Sequence, residues 1–409
     1  MARTKAVLGA GVRLSDRLSA SLLGRVYPLN LIDQVLSEHD AHSQRIRSIP
    51  AAVTCYYCMA LSLYPETAYE DVFSAVAQGL AWQHRSEAVP TVAKSSISAA
   101  RNKLGYAPLC SLHELACTPL ADPVRQPEAF YAGLRLVAMD GSNFEIPAEP
   151  GNVKEFGHPG SRTGHAAYPQ AQCAVLVECA THAILGANLG PYRVAQWDVC
   201  QPLLSRLKPG MLCLADRGFN GYAHWKAATQ TGAQLLWRCV SNRQLPVIKT
   251  FEDGSFLSAI YPDTKSRSTR SGEILVRVIE YSLPGMPEAQ ARYRLMTTLL
   301  DPEQAPALEL ATIYHERWEV EAVFDELKTH LVQRRRTLRS KTPDGVRQEF
   351  YGWVLMHYAV CWLMHEAAGK HRLLQRKLSF TGHVQLLRPA QPRSGAFSPS
   401  KPQTEKTMV

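Results

Sequence analysis

The chain has 409 residues, enough for two or three domains around a substantial core. Hydrophobic residues make up 46% and charged residues 20%, which excludes a disordered or fibrous chain. The net charge of +9 is concentrated: residues 370–409 carry eight Lys/Arg against one acid, and residues 334–347 carry six against one.

A near-neutral body with two basic segments suits local grip on a polyanion; two solvated basic segments fit the same counts. No apolar run reaches membrane length, so no membrane partner is expected. The N-terminus has no charged-then-apolar leader pattern, which gives the expectation of a cytoplasmic chain.

Residues 1–130 read as mostly helical, with helices expected over 50–64, 67–82 and 92–104. Thr67 and Glu70 suit a capping box. Cys55 and Cys58 form a C-x-x-C in an apolar run, with no second pair and no His at ligand spacing. Buried thiols in a reducing compartment are therefore expected. Lys94, Ser95, Ser96, Ser98, Arg101 and Lys103 line the outer side of the third helix. That side suits entry into a DNA groove, or an ordinary surface helix.

Near residue 134 the period changes. Residues 134–140 read as a strand ending on Asp140. Residues 172–179 and 183–189 read as two more, joined at Thr181-His182. A helix over 194–207, kinked or begun at Pro202, precedes a buried strand that ends on Asp216. Residues 220–231 read as helix and 233–240 as strand. Consecutive strands followed by alternating helices and strands indicate an α/β core layered by helices. Residues 241–295 are strand- and turn-rich, a β-rich insertion. A strand follows over 293–300, then a strongly apolar helix over 351–368. The composition beyond Pro389 indicates disorder.

Between these last elements Tyr314, Arg317, Glu321 and Lys328 recur at spacings of three, four and seven residues. On a helix they fall within an arc of roughly 60°. Ile313, Val320, Val323, Phe324, Leu327 and Leu331 fill the adjoining arc. One stripe can pack while its neighbour offers a phenol, a guanidinium, a carboxylate and an ammonium to a phosphodiester beside a metal ion. An amphipathic helix with a solvated rim explains the same spacing. His315, His330, His357 and His365 lack a His-Glu-x-x-His pattern and read as surface or packing residues, and Trp318 and Trp362 as packing residues.

Asp140 and Asp216 each end an apolar strand, and Glu321 rides the helix. Neighbouring strand ends can join two carboxylates, and a helix crossing the sheet can add the third. Such a set suits Mg²⁺ or Mn²⁺. Two ions would activate a water or 3′-hydroxyl and stabilise the leaving oxygen. Asp140-Gly141 also fits a simple turn.

Three blocks carry a resemblance: Asp140-Gly-Ser with Phe144 and Pro147; Leu214-Ala-Asp216-Arg-Gly-Phe219; and Tyr314-x2-Arg317-x3-Glu321-x6-Lys328. Together they resemble the signature blocks of the DDE transposases of bacterial insertion sequences, the last being that family's YREK signature. The intervals between the acids, and the segments at Phe156-Gly-His-Pro-Gly, Tyr168-Pro-Gln, Thr181-His182 and Trp237-Arg238, are similar as well. Residues 45–130 resemble the helical N-terminal domain of one branch of the group.

The resemblance implies an RNase H-like fold, a mixed sheet flanked by helices, with the β-rich insertion (about 241–295) before the last acid. It implies a helical DNA-binding domain over 1–130, a catalytic domain over 131–368 and a basic tail over 369–409. Asp140, Asp216 and Glu321 would be the catalytic triad holding two Mg²⁺ per site, with Mn²⁺ tolerated. Tyr314, Arg317 and Lys328 would contact phosphates at the cleaved end. The partners would be double-stranded DNA, both inverted repeats and target, bound by a homodimer on paired ends, with the protein nucleoid-associated when bound. Relatives often carry an acid near 196, where this chain has Gln196 and Trp197 ahead of Asp198. A nuclease without strand joining, and a decayed element acting as a DNA-binding regulator, are the competing readings. All three acids are present, which weighs against the second.

Overall fold

A ten-stranded mixed sheet organises the chain. The structure, a computed structural model, describes residues 21–43, 49–83, 92–161, 164–240, 242–282, 293–331 and 337–388. The tail beyond 388 and the basic run at 334–336 lie outside the described residues.

Strand β1 (Phe130–Tyr131) pairs with β2 (Leu134–Glu145), while β3 (Gly160–Ser161) and β4 (Gly164–His165) form a separate small hairpin. The core strands are β2, β5 (Gln170–Glu178), β6 (Ile184–Pro191), β7 (Met211–Ala215) and β8 (Gln234–Arg238). They lie in the order β6-β5-β2-β7-β8. In the first three β5 is antiparallel to both its neighbours, and β2, β7 and β8 run parallel. This is the expected RNase H-like arrangement. Every residue of β7 is buried, as expected of a parallel strand covered on both faces.

The strand-rich segment does not form a separate body. Its strands β9 (Lys249–Thr250), β10 (Phe256–Ile260) and β11 (Ile274–Tyr281) continue the same sheet, joined to β8 through β12 (Tyr293–Thr297). Pairing β12 along β8 covers an edge that would otherwise be open.

Of two local readings, the turn at Asp140 changes and the break at Pro202 holds. Asp140-Gly141 is not a turn: β2 runs on to Glu145, with Asp140 opposite Val175 and Gly141 opposite Ala174 on β5. A Cβ at Gly141 would lie 2.6 Å from Gln196 Nε2 and 3.1 Å from Cys173 O, so a larger residue would displace Gln196 from Asp140. The helix over 194–207 divides into α-helix Gln196–Cys200 and 3₁₀-helix Gln201–Arg206, changing pitch at Pro202, which lacks the N–H for an α-helical bond.

The described N-terminal helices include α1 (Leu29–Glu38), α2 (Ala51–Ala60), α3 (Tyr69–Gln83), α4 (Lys94–Leu104) and α5 (Ala107–Ala116); α2, α4 and α5 pack on the helix Pro343–His371, and α1 and α3 pack on them. That long helix is buried along most of its length and starts where the Thr342 hydroxyl accepts from Gly345 N. Gly352 lets it approach α2 closely: a Cβ there would meet Cys58 O at 2.5 Å. Cys55 and Cys58 are buried thiols of α2, as read. Arg101 departs from the groove-facing expectation. It is buried and donates to Gln348 Oε1 (2.9 Å) and Ser340 Oγ (3.0 Å), while Lys94, Ser95, Ser96 and Lys103 remain exposed. A guanidinium satisfied inside the protein is a structural tie, not a probe. Among the described residues, no helix is long and apolar enough to cross a membrane.

Candidate active site

The parallel register of β2 and β7 sets Met139 opposite Ala215. The next residue on each strand is an acid, so Asp140 and Asp216 lie side by side on neighbours about 4.8 Å apart. Asp140 Oδ1 accepts from Gly141 N (2.7 Å) and from Gln196 Nε2 (3.4 Å). Asp216 Oδ1 is buried and accepts no hydrogen bond, with Arg238 Nη1 3.8 Å away.

The third acid comes from a helical run whose pitch changes three times. The α-helix Ala307–Tyr314 tightens to 3₁₀ over His315–Trp318, returns to α over Glu319–Asp325, and widens to π over Glu326–Leu331. Leu310, Val320, Val323, Leu327 and Leu331 are buried, so the apolar stripe packs on the core as its spacing predicts. Glu321 is about half exposed beside it.

Arg317 joins helix to sheet. It is almost wholly buried, and donates from Nη1 to Asp140 Oδ2 (3.3 Å) and from Nη2 to Glu321 Oε1 (3.3 Å). One guanidinium thus spans two acids that lie far apart in the chain, and its Nε finds no acceptor. Tyr314 is also buried, and its hydroxyl donates to Ala215 O at 3.3 Å. This differs from the phosphate-facing position expected of it. Lys328 donates to Ser142 Oγ, two residues beyond Asp140 on the same face of β2. Its ammonium lies over the rings of Phe144 (5.1 Å) and Phe324 (5.7 Å).

Burial pushes the Asp140 carboxyl above its ordinary value, and the charges of Asp216 and Glu321 push the same way. The Gly141 N–H and Arg317 oppose them only in part. Burial also works against the charge on Arg317, but Tyr314, Asp140, Asp216 and Glu321 outweigh it and hold the guanidinium protonated. Burial lowers Lys328. The Asp140 carboxylate in particular is only partly compensated by the cations and donors around it. An all-oxygen donor set, a buried Asp216 oxygen without a hydrogen and a half-exposed Glu321 fit a hard divalent cation.

The sequence reading missed several residues. Gln196, named from the sequence without an assigned contact, touches Asp140. Trp318 is half exposed rather than packed, with Arg317 4.7 Å over its ring. His357, read only as a surface or packing residue, is buried and bonded to Glu326 Oε2 (2.8 Å). Glu326 also meets His182 Nδ1 (2.9 Å), and His182 Nε2 meets Glu319 Oε2 (2.8 Å). A glutamate set against an apolar stripe, needing a buried partner, was the available clue.

Comparison with known proteins agrees with this geometry. Residues 131–359 match the family described as "Transposase DDE domain", and residues 17–114 match "Insertion element 4 transposase N-terminal". The transposase InsG of insertion sequence element IS4 from Escherichia coli (strain K12) is 23% identical over 351 residues, covering 85% of this chain and 77% of that protein. A solved piggyBac transposase synaptic complex with hairpin DNA has a TM-score of 0.46 at 10% identity, covering 94% of this chain and 82% of that one. On the match over its catalytic half and its N-terminal helices, the chain belongs to the DDE transposases of the insertion element 4 type, metal-dependent enzymes of DNA transposition.

Proposed function

We propose that Asp140, Asp216 and Glu321 hold two Mg²⁺ ions, with Mn²⁺ tolerated, and that this site cuts the inverted-repeat ends of an insertion sequence and joins the freed 3′-hydroxyls to target DNA. When bound, the ions would supply Lewis-acid stabilisation of a phosphate oxygen and a more acidic attacking water or hydroxyl. The observation that carries the reading is the Arg317 bridge between Asp140 and Glu321, with Asp216 beside Asp140 on the next strand.

Arg317 acts as the internal counter-charge of the acids. With the acids holding cations, its two Nη groups would be free to donate to a phosphate oxygen of the end. Lys328, at the Ser142 end of the same strand face, adds a second phosphate contact. Tyr314 serves from beneath, through Ala215, rather than at the phosphate. In this reading residues 1–130 bind the end DNA, residues 131–368 carry the chemistry, and a homodimer holds the paired ends.

The test is the Glu321→Gln variant on a duplex carrying the terminal repeat. Cleavage is expected to fall by at least about 1,000-fold, with end binding retained. Mg²⁺-dependent nicking at the parent rate would remove Glu321 from the site.

A further inference from the structure

The run that presents Glu321 changes pitch on both sides of it, 3₁₀ before and π after. Its own backbone bonds therefore do not by themselves fix the direction in which Glu321 points; contacts to the rest of the fold must. On one side, Arg317 reaches Asp140. On the other lies His182.

We propose that His182 is a positioning residue for the reaction: by bridging Glu319 and Glu326 it fixes the rotation of the helix that carries Glu321, and so the fit of Glu321 to the cation. Its Nε2 lies 2.8 Å from Glu319 Oε2, two residues before Glu321, and its Nδ1 lies 2.9 Å from Glu326 Oε1, five residues after it. Protonated, the ring donates to both carboxylates. The two contacts bracket the acid.

The mount behind the ring is rigid. His182 has a left-handed backbone (φ +59°) in the turn between β5 and β6, and β5 pairs directly with the strand of Asp140. Thr181 beside it donates to Glu178, a buried carboxylate that also accepts from Arg135 and from the backbone N–H groups of Leu120 and Ala121. Gln375 Nε2 donates to Thr181 O (2.7 Å). The far oxygen of Glu326 is taken by His357 of the long helix. The sheet, the catalytic helix and the C-terminal helix thus meet at one glutamate, where the π turn begins.

The inference rests on Glu321 being a metal ligand, so three variants of the full chain are compared. His182→Asn severs the bridge while suiting the left-handed backbone, which Asn tolerates. Glu319→Gln, at a partly exposed position that endangers folding less, removes one charge from it. Glu321→Gln tests the site itself. Mn²⁺ affinity is read by electron paramagnetic resonance, end-DNA affinity by titration, and cleavage as kcat against Mn²⁺ concentration. In His182→Asn the Mn²⁺ half-saturation is expected to rise about 10-fold and kcat to fall about 10-fold, with end-DNA affinity unchanged. Glu319→Gln is expected to shift both the same way by about 3-fold. A purely structural role would instead lower the folded fraction and scale every readout together.

Mn²⁺ affinity and kcat within twofold of the parent in both bridge variants, with Glu321→Gln inactive, overturn this inference alone. Full activity in Glu321→Gln overturns the site assignment beneath it. Glu326, His357 and Cys361 also lie close enough to share an ion. Stoichiometric zinc in the purified chain, lost in His357→Asn, would show a metal centre in place of the bridge and overturn the inference too.

Discussion

Tyr314 donates its phenolic hydrogen to the carbonyl of Ala215, 3.3 Å away, the last residue of β7 before Asp216. A side chain from the catalytic helix thus holds the backbone from which a sheet acid emerges. Burial raises the phenol far above its ordinary range, so it remains a donor throughout the working pH range.

Tyr314→Phe is expected to remove the hydroxyl bond to the Ala215 carbonyl, at a cost of about 1 kcal/mol in stability. A cleavage rate reduced by roughly 10-fold, with end binding intact, is the outcome expected from a displaced Asp216. Thermal melts and single-turnover cleavage check it; a rate equal to the parent's sinks the supporting role.

Arg317 is the guanidinium set between the acids, so Arg317→Ala leaves Asp140 buried beside two like charges. Removing one partner of such a pair costs about 3–5 kcal/mol. MgCl₂ at about 100 times its dissociation constant is expected to recover about 2.7 kcal/mol, because the cation binds only the folded site. Melting curves with and without Mg²⁺ provide the measurement. An Arg317→Ala protein whose melting temperature ignores Mg²⁺ contradicts the counter-charge role.

Lys328→Ala is expected to weaken end binding and to reduce the salt dependence by about one phosphate contact. The slope of log affinity against log salt concentration reads this directly. Loss of the Lys328 bond to Ser142 is expected to cost about 1 kcal/mol in stability as well. An unchanged slope removes Lys328 from the DNA surface.

The His182–Glu326 pair predicts a pH signature of stability. Burial would lower His182 and raise Glu326, but their attraction, with Glu319 and His357 adding to it, wins: His182 rises to about 10 and Glu326 falls to about 2. A raised His contributes fully below its unfolded value of about 6.5 and is lost as pH rises through about 10. A lowered Glu contributes above its unfolded value and is lost as pH falls through about 2. The parent's melting temperature is therefore expected to decline between pH 7 and about 10 more steeply than that of His182→Asn. Parallel profiles count against a charged His182.

Much of the fold was legible in the chain. Apolar runs of strand length that stop on Asp140 and Asp216 marked two sheet acids, because an acid rarely continues a buried strand. The spacing of Val320, Val323, Leu327 and Leu331 marked the packed stripe of the helix, and with it the side on which Glu321 and Lys328 lie. Asp140-Gly141 was less clear: a turn and a continuing strand share that dipeptide, and only pairing with β5 decided between them.

By itself the sequence determined the type and order of the elements, the place of Asp140 and Asp216 at the ends of apolar runs, and the amphipathic character of the helix that carries Glu321. These depend on local periodicity and on which residues resist burial. The tertiary structure decided that Arg317 faces inward between Asp140 and Glu321, that Tyr314 is spent on Ala215, and that Glu326 is held by two histidines. The physical reason is twofold. A helix that passes through 3₁₀ and π turns no longer obeys a constant angle per residue. Partners distant in the chain are chosen by which strands adjoin and which charges can be satisfied once buried, and no local pattern encodes that choice.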